Sequence, residues 1–67
     1  MALTADIADE LAQKALDAFE KSGDEKIVDQ IGDVLGASSQ TLQEAYLTSI
    51  RVRRAEKRAR EMLAKFD

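Results

Sequence analysis

From Ser39 to its last residue the chain contains neither glycine nor proline, so nothing in the backbone stops a helix once one starts there. Ser38 and Ser39 supply the N-cap, since a serine oxygen accepts an otherwise unpaired N–H of the first turn. A helix from Ser39 to about Phe66 is predicted, about 42 Å long at 1.5 Å per residue. A compact chain of this length has a diameter of roughly 28 Å. Such a helix, if straight, must reach beyond the body of a monomer.

Its far half is not wholly polar. Val52, Ala55, Ala59, Met62, Leu63 and Phe66 lie along one side. An apolar stripe without an intrachain partner points to another chain, most economically a second copy in a homodimer. Glu56 with Arg60, and Glu61 with Lys65, stand four apart in the favourable order and support continuation of the helix. A bend near Ser49 is the alternative, folding the basic half back onto the rest.

Two shorter helices precede it. Eleven alanines, three glycines and no proline make an all-helix composition. The first helix is predicted from about Thr4 to Ser22, capped by Thr4. Asp6, Asp9 and Glu10 complement its N-terminal dipole. Ile7, Leu11, Ala15, Ala18 and Phe19 form its apolar face. Ser22 and Glu25 have capping-box spacing, and Asp24 is an equally good cap. The second helix, about 24–35, carries Ile27, Val28, Ile31, Val34 and Leu35 on its core side, and Gly36 is expected to end it in a left-handed conformation. The fold class is therefore all-α: one domain over 1–67, a three-helix domain with a long C-terminal helix (helices about 4–22, 24–35 and 39–66).

The residue types that are missing narrow the function. Without Cys there are no disulfides or thiolate metal sites, and without His the usual general base and zinc ligand are gone. Ser22, Ser38 and Ser39 have caps to make and nothing to activate them. No metal, no cofactor and no catalysis are expected. No apolar run approaches the roughly 20 residues that span a bilayer, and MALTADIADE has no signal-peptide pattern. A soluble, cytoplasmic protein is expected.

Charge is divided along the chain. Residues 1–50 hold ten acids and three lysines, a balance of −7. Residues 51–67 hold seven bases and three acids, a balance of +4, and all five arginines fall between Arg51 and Arg60. Such asymmetry suggests an interaction tail or a charge match between molecules.

The segment Val28–Leu47 resembles the helix-turn-helix of phage-type repressors. Gly36 stands in the turn slot after Leu35, Gly32 is the small residue four positions earlier beside Ile31, and Ala37, Leu42 and Ala45 fill inner slots. The resemblance implies that Ser38, Ser39, Gln40, Gln43, Glu44 and Leu47 face the major groove, where recognition helices present their first residues. Gln pairs with adenine there. Arg51, Arg54, Lys57 and Arg58 would then grip phosphates, or bind the acidic surface of a partner. Against DNA, no Lys or Arg lies between Val28 and Leu47, while Asp29, Asp33 and Glu44 repel phosphates. A plain helical hairpin needs the same packing residues. Membrane binding is not expected of an Ala-rich face without Trp, nor RNA reading with so few aromatics.

The sequence thus predicts a non-catalytic protein-interaction or regulatory module that self-associates through its last helix. The alternative is a small helix-turn-helix regulator that reads DNA with the start of helix three.

Overall fold

The computed structural model describes residues 3–66, and these form three helices: α1 (Leu3–Ser22), α2 (Lys26–Ser38) and α3 (Gln40–Ala64). This is the all-α three-helix domain with a long C-terminal helix that the sequence predicts. Met1, Ala2 and Asp67, the ends of the predicted 1–67 span, lie outside the described residues.

The first corner uses residues the sequence marks, in a different arrangement. Gly23 has φ 74°, and its N–H reaches the Phe19 carbonyl at 2.7 Å, closing α1 as a left-handed cap does. Ser22 and Glu25 do not form a capping box. The Ser22 hydroxyl donates to the Ala18 carbonyl at 2.9 Å and accepts from the Asp24 N–H at 3.1 Å. Asp24 Oδ1 instead accepts the Lys26 N–H at 2.9 Å. Glu25 is left free to meet Arg54. Thr4 lies inside the first turn of α1 rather than ahead of it.

The second corner falls later than predicted. Gly36 is helical, and α2 continues through Ser38. The chain turns at Ser39 alone, which has φ −154° and ψ 103°. Its N–H bonds the Leu35 carbonyl at 2.7 Å, ending α2. Its Oγ accepts the Leu42 N–H at 3.2 Å, starting α3. Ala37 and Ser38 tolerate helix, so Gly36 need not stop it, and the serine cap decides the boundary instead. The glycine at position 36 has a packing reason: a Cβ there would overlap the Gln43 side-chain amide.

The core is built from small residues on one side and large ones on the other. Ala8, Ala12 and Ala15 of α1 are buried, as are Val28 of α2 and Tyr46 and Ile50 of α3. The alanines let α3 approach α1, its most extensive packing partner. Tyr46 is fully enclosed, its ring lying over Gly32. Its hydroxyl donates to the Val28 carbonyl at 2.7 Å, which satisfies a group that burial would otherwise penalise. Burial, aided by the nearby charge of Asp29, pushes the Tyr46 hydroxyl's pKa above its ordinary value. Leu11, Leu16, Phe19, Ile31 and Leu47 pack around this centre.

Two predicted core residues point outward: Ile7 is 40% exposed and Val34 is 66% exposed. The alanines centre the packing face of α1, and Ile7, one position before Ala8, lies about 100° away from it. Val34, six positions after Val28, falls about 120° off the α2 seam by the same rotation.

The three helices form a thin layer, 44 × 31 × 13 Å in Cα extents. The radius of gyration is 13.1 Å, against about 11 Å for a compact chain of this length. The accessible surface is 5213 Å², whereas a compact monomer of this mass exposes about 4,200 Å². α3 is unbroken through Ser49, so the basic half does not fold back at a bend there.

Candidate functional site

Each residue of a helix turns by about 100° from the one before it, so α3 presents two opposed faces. Tyr46, Ile50, Arg53 and Lys57 share the face turned to α1 and α2. Val52, Ala55, Ala59 and Met62 share the opposite face, and Phe66 follows in the turn past the end of α3, its N–H bonded to the Leu63 carbonyl at 3.0 Å. On that outer face Val52 is 60% and Met62 63% exposed, and Phe66 beyond it is 82% exposed. Leu63 beside them is also exposed, as are Ala55 and Ala59. All six predicted stripe residues therefore lie together and uncovered, with no described part of the chain over them.

The inner face turns from apolar to basic as α3 advances, and its cations are spent on the body. Arg53 donates two bonds to Asp9, from Nε to Oδ1 at 2.8 Å and from Nη2 to Oδ2 at 2.7 Å. This paired geometry is the strong form of an arginine–carboxylate contact. The Arg53 hydrogen bonds hold the Asp9 carboxyl below the ordinary Asp range, and the same bonds push the Arg53 pKa up. Arg54 meets Glu25 at 3.4 Å and Lys57 meets Glu20 at 3.1 Å. The acidic front and basic rear of the chain are thus matched within one molecule at three places, where the sequence suggested a tail or a match between molecules.

The predicted DNA or acidic-partner contacts do not form one surface. Ser38 ends α2 and Gln40 opens α3, both exposed. Ser39 is occupied as the cap between them. Gln43 is turned inward, and its Nε2 donates to the Gly32 carbonyl at 2.9 Å. Leu47, placed in the groove by the helix-turn-helix resemblance, packs on the core instead. Arg54 and Lys57 are engaged with α1 and the α1–α2 corner. Arg51 and Arg58 are exposed and form no ion pair among the described residues.

Arg53 is the residue the sequence reading missed. The signal was present: it stands three positions after Ile50 and seven after Tyr46, on the face that must meet the body. A groove of about 340 Å³ between α1 and α3 is lined by Asp17, Arg53, Glu56, Lys57, Arg60 and Glu61 among others. Its acids and bases balance, so it offers no field for a charged ligand. No group of acidic residues that could hold a metal occurs among the described residues, and no described helix is long and apolar enough to cross a membrane. Compared with known protein families, curated proteins and solved structures, the chain matches none.

Proposed function

We propose that this chain is a non-catalytic interaction module that associates with a second copy of itself through the outer face of α3, serving a regulatory or scaffolding role. One observation carries the reading. The six apolar residues from Val52 to Phe66 are exposed together, on the side of α3 away from everything it packs against. Scattered surface hydrophobics need no explanation, but a row along the outer side of one helix does. Excess surface supports the same reading. The chain exposes 5213 Å², about 1,000 Å² more than the area–mass relation gives for a compact monomer. A standard interface takes about 800 Å² from each partner.

The DNA-binding alternative has less support. Gln43, Arg54 and Lys57 would each have to leave an intramolecular partner to touch DNA. Ser38, Gln40, Arg51 and Arg58 remain, without the clustered positive charge that supplies most affinity for phosphate.

The test is a pair of substitutions, Val52→Asp and Met62→Asp, read by molar mass and by helical circular dichroism. Both side chains are mostly solvent-exposed, so the fold should persist. The proposal predicts a dimeric parent and monomeric variants with unchanged helicity. A parent that is monomeric at high concentration would overturn it.

A further inference from the structure

The stripe on α3 has a finer order than a row of apolar residues. Ala45, Thr48, Val52, Ala55, Ala59, Met62 and Phe66 follow one another at intervals of three and four. That is the heptad spacing of a coiled coil, with Ala45, Val52, Ala59 and Phe66 at the first seam position and Thr48, Ala55 and Met62 at the fourth. The exposed part of the row within α3, Thr48 to Met62, extends over two heptads, about 21 Å of helix. Ala45 packs against the core, whereas from Thr48 onward the body of the chain lies on the opposite face and leaves the seam clear for another helix.

The residues flanking the seam differ in charge on its two sides. On one flank stand Arg51, Arg58 and Lys65; on the other stand Ser49, Glu56 and Leu63. Such flanking residues set orientation in paired helices. In an antiparallel pair each flank meets its own kind, which would bring Arg51, Arg58 and Lys65 against the same three cations of the second copy. In a parallel pair each flank meets the other, five positions on. Arg51 then faces Glu56 of the second copy, and the methylene stem of Arg58 covers Leu63. Both contacts occur twice by symmetry. Among the described residues, Arg51 and Arg58 are the arginines of α3 without an ion pair, and Glu56, whose Oε2 accepts from Arg60 Nε at 3.0 Å, keeps Oε1 for Arg51 of the second copy.

We infer that the second copy lies parallel and in register along α3, with the Arg51–Glu56 contact between chains fixing the orientation. This inference rests on the proposed self-association and specifies its geometry. A parallel pair carries two α1–α2 bodies at the same end, with both Ser38–Gln40 corners facing the same way.

The absence of native cysteine makes the test direct. Val52→Cys and Met62→Cys are each prepared alone, mixed, and brought to equilibrium in a thiol redox buffer, with exposed Lys14→Cys on α1 as the background. A disulfide needs Cα atoms about 4.4–6.8 Å apart. In the parallel register each new cysteine meets its own counterpart, so both single variants cross-link well above background and the mixed disulfide stays rare. In an antiparallel pair centred near Lys57, two cysteines at position 52 lie about 15 Å apart along the helices, and the mixed 52–62 disulfide dominates. That result, with dimer mass intact, overturns the parallel inference but leaves self-association standing. Background cross-linking with monomer mass overturns both. As a second readout, Arg51→Glu should weaken dimerisation several-fold, and adding Glu56→Arg in the same chain should restore it.

Discussion

Arg53 and Asp9 are 44 positions apart in sequence and joined by two hydrogen bonds of 2.8 and 2.7 Å. The pair ties the start of α1 to the middle of α3, beside the buried Ile50. It holds the face of α3 that carries Tyr46 and Ile50 against α1, and the opposite face is left to solvent.

The clamp makes stability depend on pH with a defined sign. Because Arg53 hydrogen bonds lower the folded-state pKa of Asp9, the unfolded chain takes up the proton first as pH falls. The stabilisation is complete above the ordinary Asp value of about 4 and is lost as pH drops through the lower folded value. Arg53→Met should therefore reduce the denaturant midpoint near neutral pH and approach the parent in acid. A gap of constant size across the acid range, measured by urea titration, would show that Asp9 is not the partner that matters.

Tyr46 sets the alkaline limb. Its raised folded-state pKa means that stability holds below the ordinary Tyr value of about 10 and is lost as pH rises through the higher folded value. Tyr46→Phe removes the bond to the Val28 carbonyl and should cost about 1 kcal/mol near neutral pH. Its deficit should shrink as the solution becomes alkaline, because Phe cannot ionise. Tyr46→Ala opens a cavity worth about 3–5 kcal/mol, as much as a core this small can supply, and should leave the chain largely unfolded.

The three glycines should respond differently to alanine. Gly23→Ala should destabilise by about 1–2 kcal/mol through the left-handed backbone alone, since no atom lies within 4 Å of the added methyl. Gly32→Ala places its Cβ 3.5 Å from the Tyr46 ring, an ordinary contact. It should stabilise by about 0.5–1 kcal/mol from helix propensity. Gly36→Ala displaces the Gln43 amide, so a lost hydrogen bond of about 1 kcal/mol offsets a similar helical gain. Its net effect should be near zero, and in that background Gln43→Ala should cost nothing further. Thermal unfolding of the three variants gives the ranking.

Ionic strength separates the two roles of charge. The Arg54–Glu25 and Lys57–Glu20 pairs are exposed, and pairs of that kind contribute about 0–1 kcal/mol each and are screened by salt. Raising salt should therefore change the unfolding midpoint only slightly. Loss of helical structure in high salt would contradict a fold centred on Tyr46 and the α1 alanines.

The long third helix and its serine cap were legible because no breaker interrupts the sequence after Gly36 and the cap acts locally. The exposed stripe was legible because side-chain spacing along a helix fixes which residues share a face. The end of α2 was not, since Gly36 serves a contact with Gln43 seven residues away rather than a backbone turn. The core of α1 was partly hidden as well. Ala8 and Ala12 carry little hydrophobic signal, and their value lies in letting Tyr46 and Ile50 come close. Asp9 was read as a helix-end charge, and its bond to Arg53 depends on a crossing of helices that no local pattern records.

The most direct measurement is light scattering after size exclusion, over a range of concentration and at low and high salt. Association through the apolar seam of α3 predicts about twice the 7.4 kDa chain mass at both salts. A mass of one chain under all conditions would contradict the central claim, leaving the outer face of α3 without the second copy assigned to it.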